Sequence, residues 1–478
     1  MNIMNKKNKN NITDGMRGSA IAYGLVMIAV VSIILTSMIS FVVSQLKYGY
    51  FVESKEEAFH IAESGINYYR WYLAHETDGR SAQQIQDFWS EGNAKGVSDP
   101  YVVVYKDGAG NNVGEYEINV TPPDANSTII EVVSEGYTYK YPNSKRTIKA
   151  RFRRPSWSEY AALGNSFLRF GDGTEVSGKI FANGGVHFDG VAHNVVYSGV
   201  TQYYDSDSDV HSTKPGVWTS WSGEYNTNMG SDVFVAGKKF PMPVKDFNTV
   251  SSDLNMLKAE AIAGTNGSLY FDNNKAGRHI ILKTDGTFDI RTVQSFNGSS
   301  KEIGGYNGNW ATYSIPENGL IFVEANVLLE GAINGERVTV VAANLLTGQK
   351  ANVYLKNDLR YTSYDGTDVI GVMAQDNIEV IMHSSNNLRI DAALLAVEGR
   401  VGRDTYNNKK DEITVFGAIA TNKRYGFAYT GNNYNCGGFS IGRGYCLRNL
   451  IYDNNLLYSP PPYFPTGDKY LIDLWEEL

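Results

Sequence analysis

Three carboxylates alternate in the run YYDSDSDVH, at Asp205, Asp207 and Asp209, with His211 two residues further on. Alternating acids on a loop can offer hard oxygen ligands to Ca²⁺. The run lacks the Gly and the distal Glu of an EF-hand loop, so a solvated acidic loop is the expectation and the three aspartates are weak metal candidates. His187 and His193, in VHFDGVAHNVV, form the tight histidine pair away from that loop, with no Cys nearby. Hydrogen bonding at a corner is their default role. GFSIG around Ser440 matches G-x-S-x-G, but a nucleophile elbow needs a strand before the Ser and a helix after it. The following GYCLRNL carries no helical stripe, which makes this a Gly-rich turn. GDGTEVSG, at Gly171–Gly178, lacks the Lys and the strand-to-helix setting of a phosphate loop. A glycosidase needs two carboxyls roughly 5–10 Å apart. Asp391 with Glu398, or Asp358 with Asp368, would qualify if folding stacked them, yet acids in nearly every turn usually serve solubility. No residue is therefore assigned to catalysis, and no cofactor is expected.

Two further groups could serve binding or stability. Cys436 and Cys446 are the two cysteines of the chain, ten residues apart, and in an oxidising exterior they can close a small loop. Spacing alone leaves that pairing open. Tyr203, Tyr204, Trp218, Trp221 and Tyr225 cluster in a polar stretch. Exposed Tyr and Trp stack on sugars or anchor a partner protein; the same residues can equally hold the stretch down on the body of the protein.

The elements that must position these groups begin at the N-terminus. Ser19 to Leu46 is 28 residues without a charge, and about 20 span a bilayer as a helix. Lys6, Lys7, Lys9 and Arg17 precede it, and the mixed-charge run Glu53, Lys55, Glu56, Glu57 follows. That asymmetry puts the N-terminus in the cytoplasm and the bulk of the chain outside. A removable secretory signal has an apolar region of roughly 7–15 residues and a small-x-small cleavage site; this run is longer and SQLKYGYFVES offers no such site. Phe59, Ala62, Ile66, Tyr69 and Leu73 continue as one apolar stripe at helical spacing, so a single helix over Ala20 to His75 is expected. Gly65 inside it costs a little against Ala.

The short basic leader ending in Gly, the apolar helix and the run AFHIAESGINYYRWYLAH resemble the N-terminal segment of type IV pilin-like proteins. PilX-type minor pilins are the nearest likeness, through Ala58, Ala62, Glu63, Gly65 and Tyr68. The resemblance covers roughly residues 15–75. It implies that a prepilin peptidase cuts after a Gly, at Gly18–Ser19 or alternatively at Gly15–Met16. It also implies other pilin subunits and pilus-assembly membrane proteins as partners. One position departs: major pilins carry a Glu at the fifth mature residue, and Tyr23 stands there. A carboxylate in the bilayer core is costly without a partner, so its absence points to a minor subunit rather than a self-polymerising one.

Four strand-like runs follow, Tyr101–Tyr105, Tyr116–Val120, Ile129–Val133 and Arg146–Phe152, separated by turn clusters. They predict a small pilin-like α+β neck whose sheet buries the outer helical stripe. From Ala161 onward no helix is expected; short apolar runs alternate with Gly and Asn. With Phe322, Val341, Met373, Leu395 and Phe416 as anchors, the separations are 19, 32, 22 and 21. A period near 20 with several short strands predicts a β-solenoid, with Asn and Gly at tight corners; a sandwich or barrel is the alternative. The expected class is thus mainly β with a long N-terminal transmembrane α-helix. Its expected parts are a leader 1–18, the helix 19–75, the neck 76–155, a solenoid 156–450 with an insert at about 196–267, and a Pro/aromatic cap 451–478. In that cap Tyr463, Phe464 and Trp475 would plug an open solenoid end.

The chain has 478 residues and a formal charge of −8. An acidic chain with no basic stripe does not look built for phosphate backbones, so no nucleic-acid partner is expected. The expected role is a minor pilin-like structural subunit in a type IV pilus or related filament, presenting a solenoid for adhesion or filament initiation. Its partners would be the lipid bilayer and a surface glycan or protein ligand. An unprocessed anchored adhesin or scaffold is the alternative, and a carbohydrate-active β-helix enzyme the third reading.

Overall fold

The computed structural model describes residues 13–80, 82–124, 127–247, 250–467 and 469–478. Residues 1–12 of the expected leader lie outside them, whereas Gly18 and Ser19 fall within the first helix. That helix, α1 (Thr13–Thr77), has 65 residues, about 100 Å at 1.5 Å per residue. Its two halves have opposite surroundings. The part from Ser19 is long and apolar enough to cross a membrane, and none of its most apolar window is buried by the rest of the chain. From Ser54, which hydrogen-bonds Thr138 side chain to side chain at 2.7 Å, the helix enters a folded head.

The head is built on the predicted stripe. Ala62, Ile66, Tyr69 and Leu73 are fully buried against Ile118, Ile130, Val132, Ile148, Ala150 and Phe152, while Phe59 sits half-buried at the rim. Those partners come from an antiparallel meander of β1 (Tyr101–Lys106), β2 (Asn112–Thr121), β3 (Ile129–Thr138) and β4 (Tyr141–Arg153). Each expected strand falls within one of these. A short helix α2 (Ala82–Ser90) covers the helix end through Ile85, Phe88 and Trp89. The fifth strand comes from the far end of the chain: Leu471–Glu477 pairs antiparallel with β4. The last residues thus differ from the expected cap. Trp475 packs edge-on to Phe59, with ring centroids 5.8 Å apart, and plugs no stack end. The physical reason is that β4 otherwise presents an open edge. The large β domain is consequently inserted between two neighbouring strands of the head.

Within that domain most strand pairs are parallel, antiparallel pairing being confined to hairpins, and one parallel ladder can be followed from Tyr270. Tyr270 pairs with Phe322, Phe322 with Val341, Val341 with Met373, and Met373 with Leu395. Four of the five sequence anchors therefore share one register; Leu395 pairs with Ala420, and Phe416 lies opposite Asp391 instead. The ladder then returns to the start of the domain. Ala420 pairs with Leu163, Leu163 with Phe181, Phe181 with Tyr197, and Tyr197 with Lys239. A second ladder, Ile390–Val415–Leu450–Val176–Ala192, crosses the same junction. The chain thus enters the stack in its middle, runs to one end, crosses to the other end, and comes back to its entry point.

That crossing revises the expected insert. The ladder continues through Val196–Ser198 to Lys238–Lys239, and the true excursions are a hairpin (Gln202–Asp205 with Ser212–Pro215) and the connection beyond Lys239. The connection contains a helix the sequence reading did not expect, α3 (Val250–Ala263). Its Leu254, Leu257 and Ala261 cover the outward column Phe322, Val341, Met373 and Leu395 together with Leu456 and Phe464. Alternate residues Ile321, Val340, Val372 and Leu394 fill the interior, as period-two alternation requires.

Corner asparagines act differently from expectation. Asn326, Asn352 and Asn377 do not take the left-handed conformation. Their side-chain carbonyls accept from the backbone N–H of Asn352, Asn377 and Arg400 on the next level at 2.9, 3.1 and 3.0 Å. A parallel series spans the junction, where Asn165 donates to Asn422 at 2.7 Å and Asn183 to Asn165 at 2.8 Å. Each amide thus satisfies a backbone or side-chain group of the neighbouring level.

Candidate functional site

The acidic hairpin is fastened to the stack by ion pairs, in place of the solvated loop expected from its composition. Asp205 is fully buried and Asp207 largely so; Asp209 remains half-exposed. Arg169 donates to Asp207 at 2.8 Å and to Asp209 at 2.5 Å. Arg424 brackets Asp207 from the other side, with its second nitrogen at 2.8 Å. Burial would raise the Asp207 carboxyl, but the Arg424 and Arg169 guanidiniums outweigh it and hold it below the usual range. Hydrogen bonds from Arg169 hold Asp209 at about 2. Arg169 and Arg424 lie 255 residues apart and meet because early and late strands pair at the junction. No local sequence signal announces them.

His187 sits beneath, fully buried, with Nε2 2.9 Å from Asp189 Oδ2 and Nδ1 3.2 Å from Asp205 Oδ2. His187, Asp205 and Asp207 bring ligand atoms within 4.8 Å of one another. Two guanidiniums already neutralise Asp207, which opposes a second cation there. His193 belongs elsewhere, paired with Glu175 at 2.6 Å on the surface.

Three of the five clustered aromatics are structural in their contacts. Trp218 stacks on His187 with centroids 3.8 Å apart and donates its Nε1–H to the Tyr203 hydroxyl at 3.0 Å. Tyr203 in turn donates to Asp205 at 3.1 Å. Trp221 donates to the Asp189 carbonyl at 2.8 Å and packs on the interior. Tyr204 and Tyr225 face solvent. A different aromatic set escaped the sequence reading: Tyr306 and Trp310, on the exposed strand Ile303–Ser314, with the Tyr306 hydroxyl 2.8 Å from His279 Nδ1. The four-residue spacing of Tyr306 and Trp310 was the available signal.

The remaining candidates are placed as follows. Cys436 and Cys446 are bonded, with Cα atoms 5.5 Å apart, and clamp the hairpin Ala428–Asn435 with Ser440–Tyr452. Ser440 opens the strand Ser440–Tyr452, so a strand and not a helix comes directly after it. Asp391 is buried and accepts from Arg389, Tyr364 and the Tyr361 N–H, whereas Glu398 pairs with Lys350. Asp368 is buried and accepts from the N–H groups of Thr362 and Ser363; Asp358 accepts from the Arg389 N–H. These carboxylates hold turns and arginines.

Beside the ion-pair cluster, at the junction of early and late strands, lies a cavity of about 360 Å³ lined by Arg169, Arg400, Lys423, Arg424 and Arg448, with Asp172 and Asp207. Arg448 spends its donors on the carbonyls of Gly171 and Tyr445, at 3.0 and 2.9 Å, and on the Thr174 hydroxyl. Burial without a bridging carboxylate pushes it down to about 10. It is still charged at neutral pH.

No protein-family model matches the chain, and no curated protein matches it. Among solved structures the chain is similar to the competence-associated pilin ComZ from Thermus thermophilus, at 14% identity over 89% of this chain and 97% of that one, with a TM-score of 0.32.

Proposed function

We propose that this chain is a minor pilin-like structural subunit, not an enzyme, that carries a β-solenoid ectodomain outside the membrane for adhesion or filament initiation. One observation carries this reading: a single unbroken helix is bare and apolar from Ser19 and then supplies the core of the head from Ser54 onward. A bare apolar helix of that length requires lipid or neighbouring helices around it. The basic residues ahead of it favour a cytoplasmic N-terminus. The pilin-like leader and the run Ala58 to Tyr68 support removal of residues 1–18 by a prepilin peptidase, with other pilin subunits and pilus-assembly membrane proteins as partners. The parallel ladders, with most levels 16 to 32 residues apart, support a solenoid. A body this wide repeats poorly along a fibre, which favours a tip position.

The test is the mature N-terminus, read by intact mass and N-terminal peptide mapping of membrane and sheared-surface fractions. A chain beginning at Ser19, or at Met16, supports filament assembly. A chain retaining Met1 to Gly18 in cells with an active peptidase overturns it and leaves an anchored adhesin or scaffold.

A further inference from the structure

We propose that the cavity at the junction of early and late strands binds the carboxylate of an acidic sugar. Its lining carries five cationic side chains, Arg169, Arg400, Lys423, Arg424 and Arg448, against the two acids Asp172 and Asp207. The chain as a whole is acidic, at −8, so this is a local reversal of charge. Walls of low dielectric around one sign of charge concentrate the opposite ion.

The five cations divide by how fully they are committed. Arg448 is saturated by carbonyls and contributes field only. Arg424 and one edge of Arg169 are engaged with Asp207 and Asp209. The Arg169 side chain is 8% exposed, and its Nε–H has no acceptor among the described residues. A buried guanidinium N–H without a partner costs free energy. Arg400 is held by the Tyr429 hydroxyl at 2.9 Å and the Arg403 carbonyl at 2.9 Å, and its nearest paired carboxylate, Asp404, is 3.9 Å away. Lys423 is mostly exposed, with Asp376 also at 3.9 Å. Lys423 is therefore open to a ligand, and Arg400 can add to it with the N–H groups that those two bonds leave.

The rest of the lining selects the class. Thr430 and Ser440 offer hydroxyls, and Tyr429, whose own hydroxyl is held by Arg400 and the Arg403 carbonyl, adds an aromatic wall. Hydroxyls and a flat ring suit a sugar, and a lysine ammonium within a cationic field suits a carboxylate. A volume of about 360 Å³ lies within the range of roughly 300–1,000 Å³ typical of small-molecule sites.

This site rests on the reading that the ectodomain faces outward, but its test does not involve the leader. A chain that keeps residues 1–18 yet binds would overturn filament assembly alone; a processed chain that does not bind would overturn this site alone. The experiment is calorimetric titration of the full chain in detergent with an oligogalacturonate, a neutral maltooligosaccharide and inorganic sulfate. The expected result is binding of the oligogalacturonate, no binding of the neutral sugar, and weakening with added salt. Lys423→Glu with Arg400→Gln should reduce affinity at least tenfold, whereas Lys356→Glu, away from the cavity, should not; unchanged circular dichroism and melting verify folding. Equal binding of neutral and acidic sugars, binding of sulfate alone, no binding, or equal loss in the control variant would each overturn the proposal.

Discussion

Gly136 of β3 lies so close to Ala62 of α1 that a Cβ on the glycine would stand 3.0 Å from the Ala62 Cα. The carbonyl of Ala58 and the N–H of Ala62 close the same space. One turn further, a Cβ at Gly65 would meet the Tyr116 ring at 3.0 Å and the Ser134 Cβ at 3.2 Å. The small residues of the AxxxAExG run are thus the points where helix and sheet come closest, backbone to backbone at Ala58 and Ala62 and against the Ser134 and Tyr116 side chains at Gly65, and a larger side chain must push them apart. Gly65, a mild liability by helix propensity, is required by packing.

Gly136→Ala should destabilise the head by about 1–3 kcal/mol, the usual cost of overpacking. Gly65→Ala should act in the same direction. Phe59→Ala, at the half-buried rim, should cost less than either. Urea unfolding of the full chain in detergent, followed by Trp fluorescence, orders the three variants.

The hairpin Gln202–Asp205 with Ser212–Pro215 should loosen in acid before the stack does. Asp207 and Asp209 both titrate below ordinary carboxylates, Asp209 at about 2. A depressed carboxyl stabilises the fold above its unfolded value of about 3.9 and loses that contribution as pH falls through the folded value. The window is therefore pH 4 down to about 2. Arg424→Gln should reproduce the loosening at neutral pH, at about 1.5–3 kcal/mol for lost hydrogen bonds to a charged group. Amide hydrogen exchange resolved to residues 202–215, against residues 338–342 of the stack, separates local from global opening.

The sequence made the head and the ladder legible for one physical reason and hid the junction for another. The stripe Ala62, Ile66, Tyr69, Leu73 and the β runs are local periodicities enforced by burial. Phe322, Val341, Met373 and Leu395 share a register because one column needs apolar residues on its outward side as well, under α3. Leu254, Leu257 and Ala261 carried a helical spacing that the run of β signals overshadowed. Pairings such as Ala420 with Leu163, or Arg424 with Asp207, join residues more than 200 positions apart. Nothing local encodes them, and the cation-lined cavity they create was accordingly invisible in the sequence. Asp205, a solvated acid by composition, is buried because the hairpin folds it onto His187.

Replacing Cys436 and Cys446 with Ser should cost about 2–3 kcal/mol by the loop-closure argument for a ten-residue separation. The loss should stay within the hairpin they clamp, since Leu450 and Ile451 beyond it remain tied to Val176 and Ser177. Limited proteolysis with and without reductant provides the readout: new cuts between residues 430 and 440, with the stack uncut.

Removing residues 468–478 should unfold the head while sparing the stack. The strand Leu471–Glu477 covers the β4 edge, Asp473 accepts from Arg151 at 3.0 Å, and Tyr470 accepts the buried Trp89 Nε1–H at 2.9 Å. Its loss leaves an open edge, an unpaired arginine and an unsatisfied indole together. Tyr470→Phe isolates the last of these and should cost about 1–3 kcal/mol. Because β4 leads into the β domain and the final strand leads out of it, the two lie side by side where the domain joins the head. Tension pulling the helix against a ligand held by the β domain then loads two adjacent, hydrogen-bonded strands, and the truncation leaves one. Single-molecule pulling between residue 54 and the β domain should therefore give a lower rupture force in the truncated chain, and an unchanged force would show that the last strand bears no load.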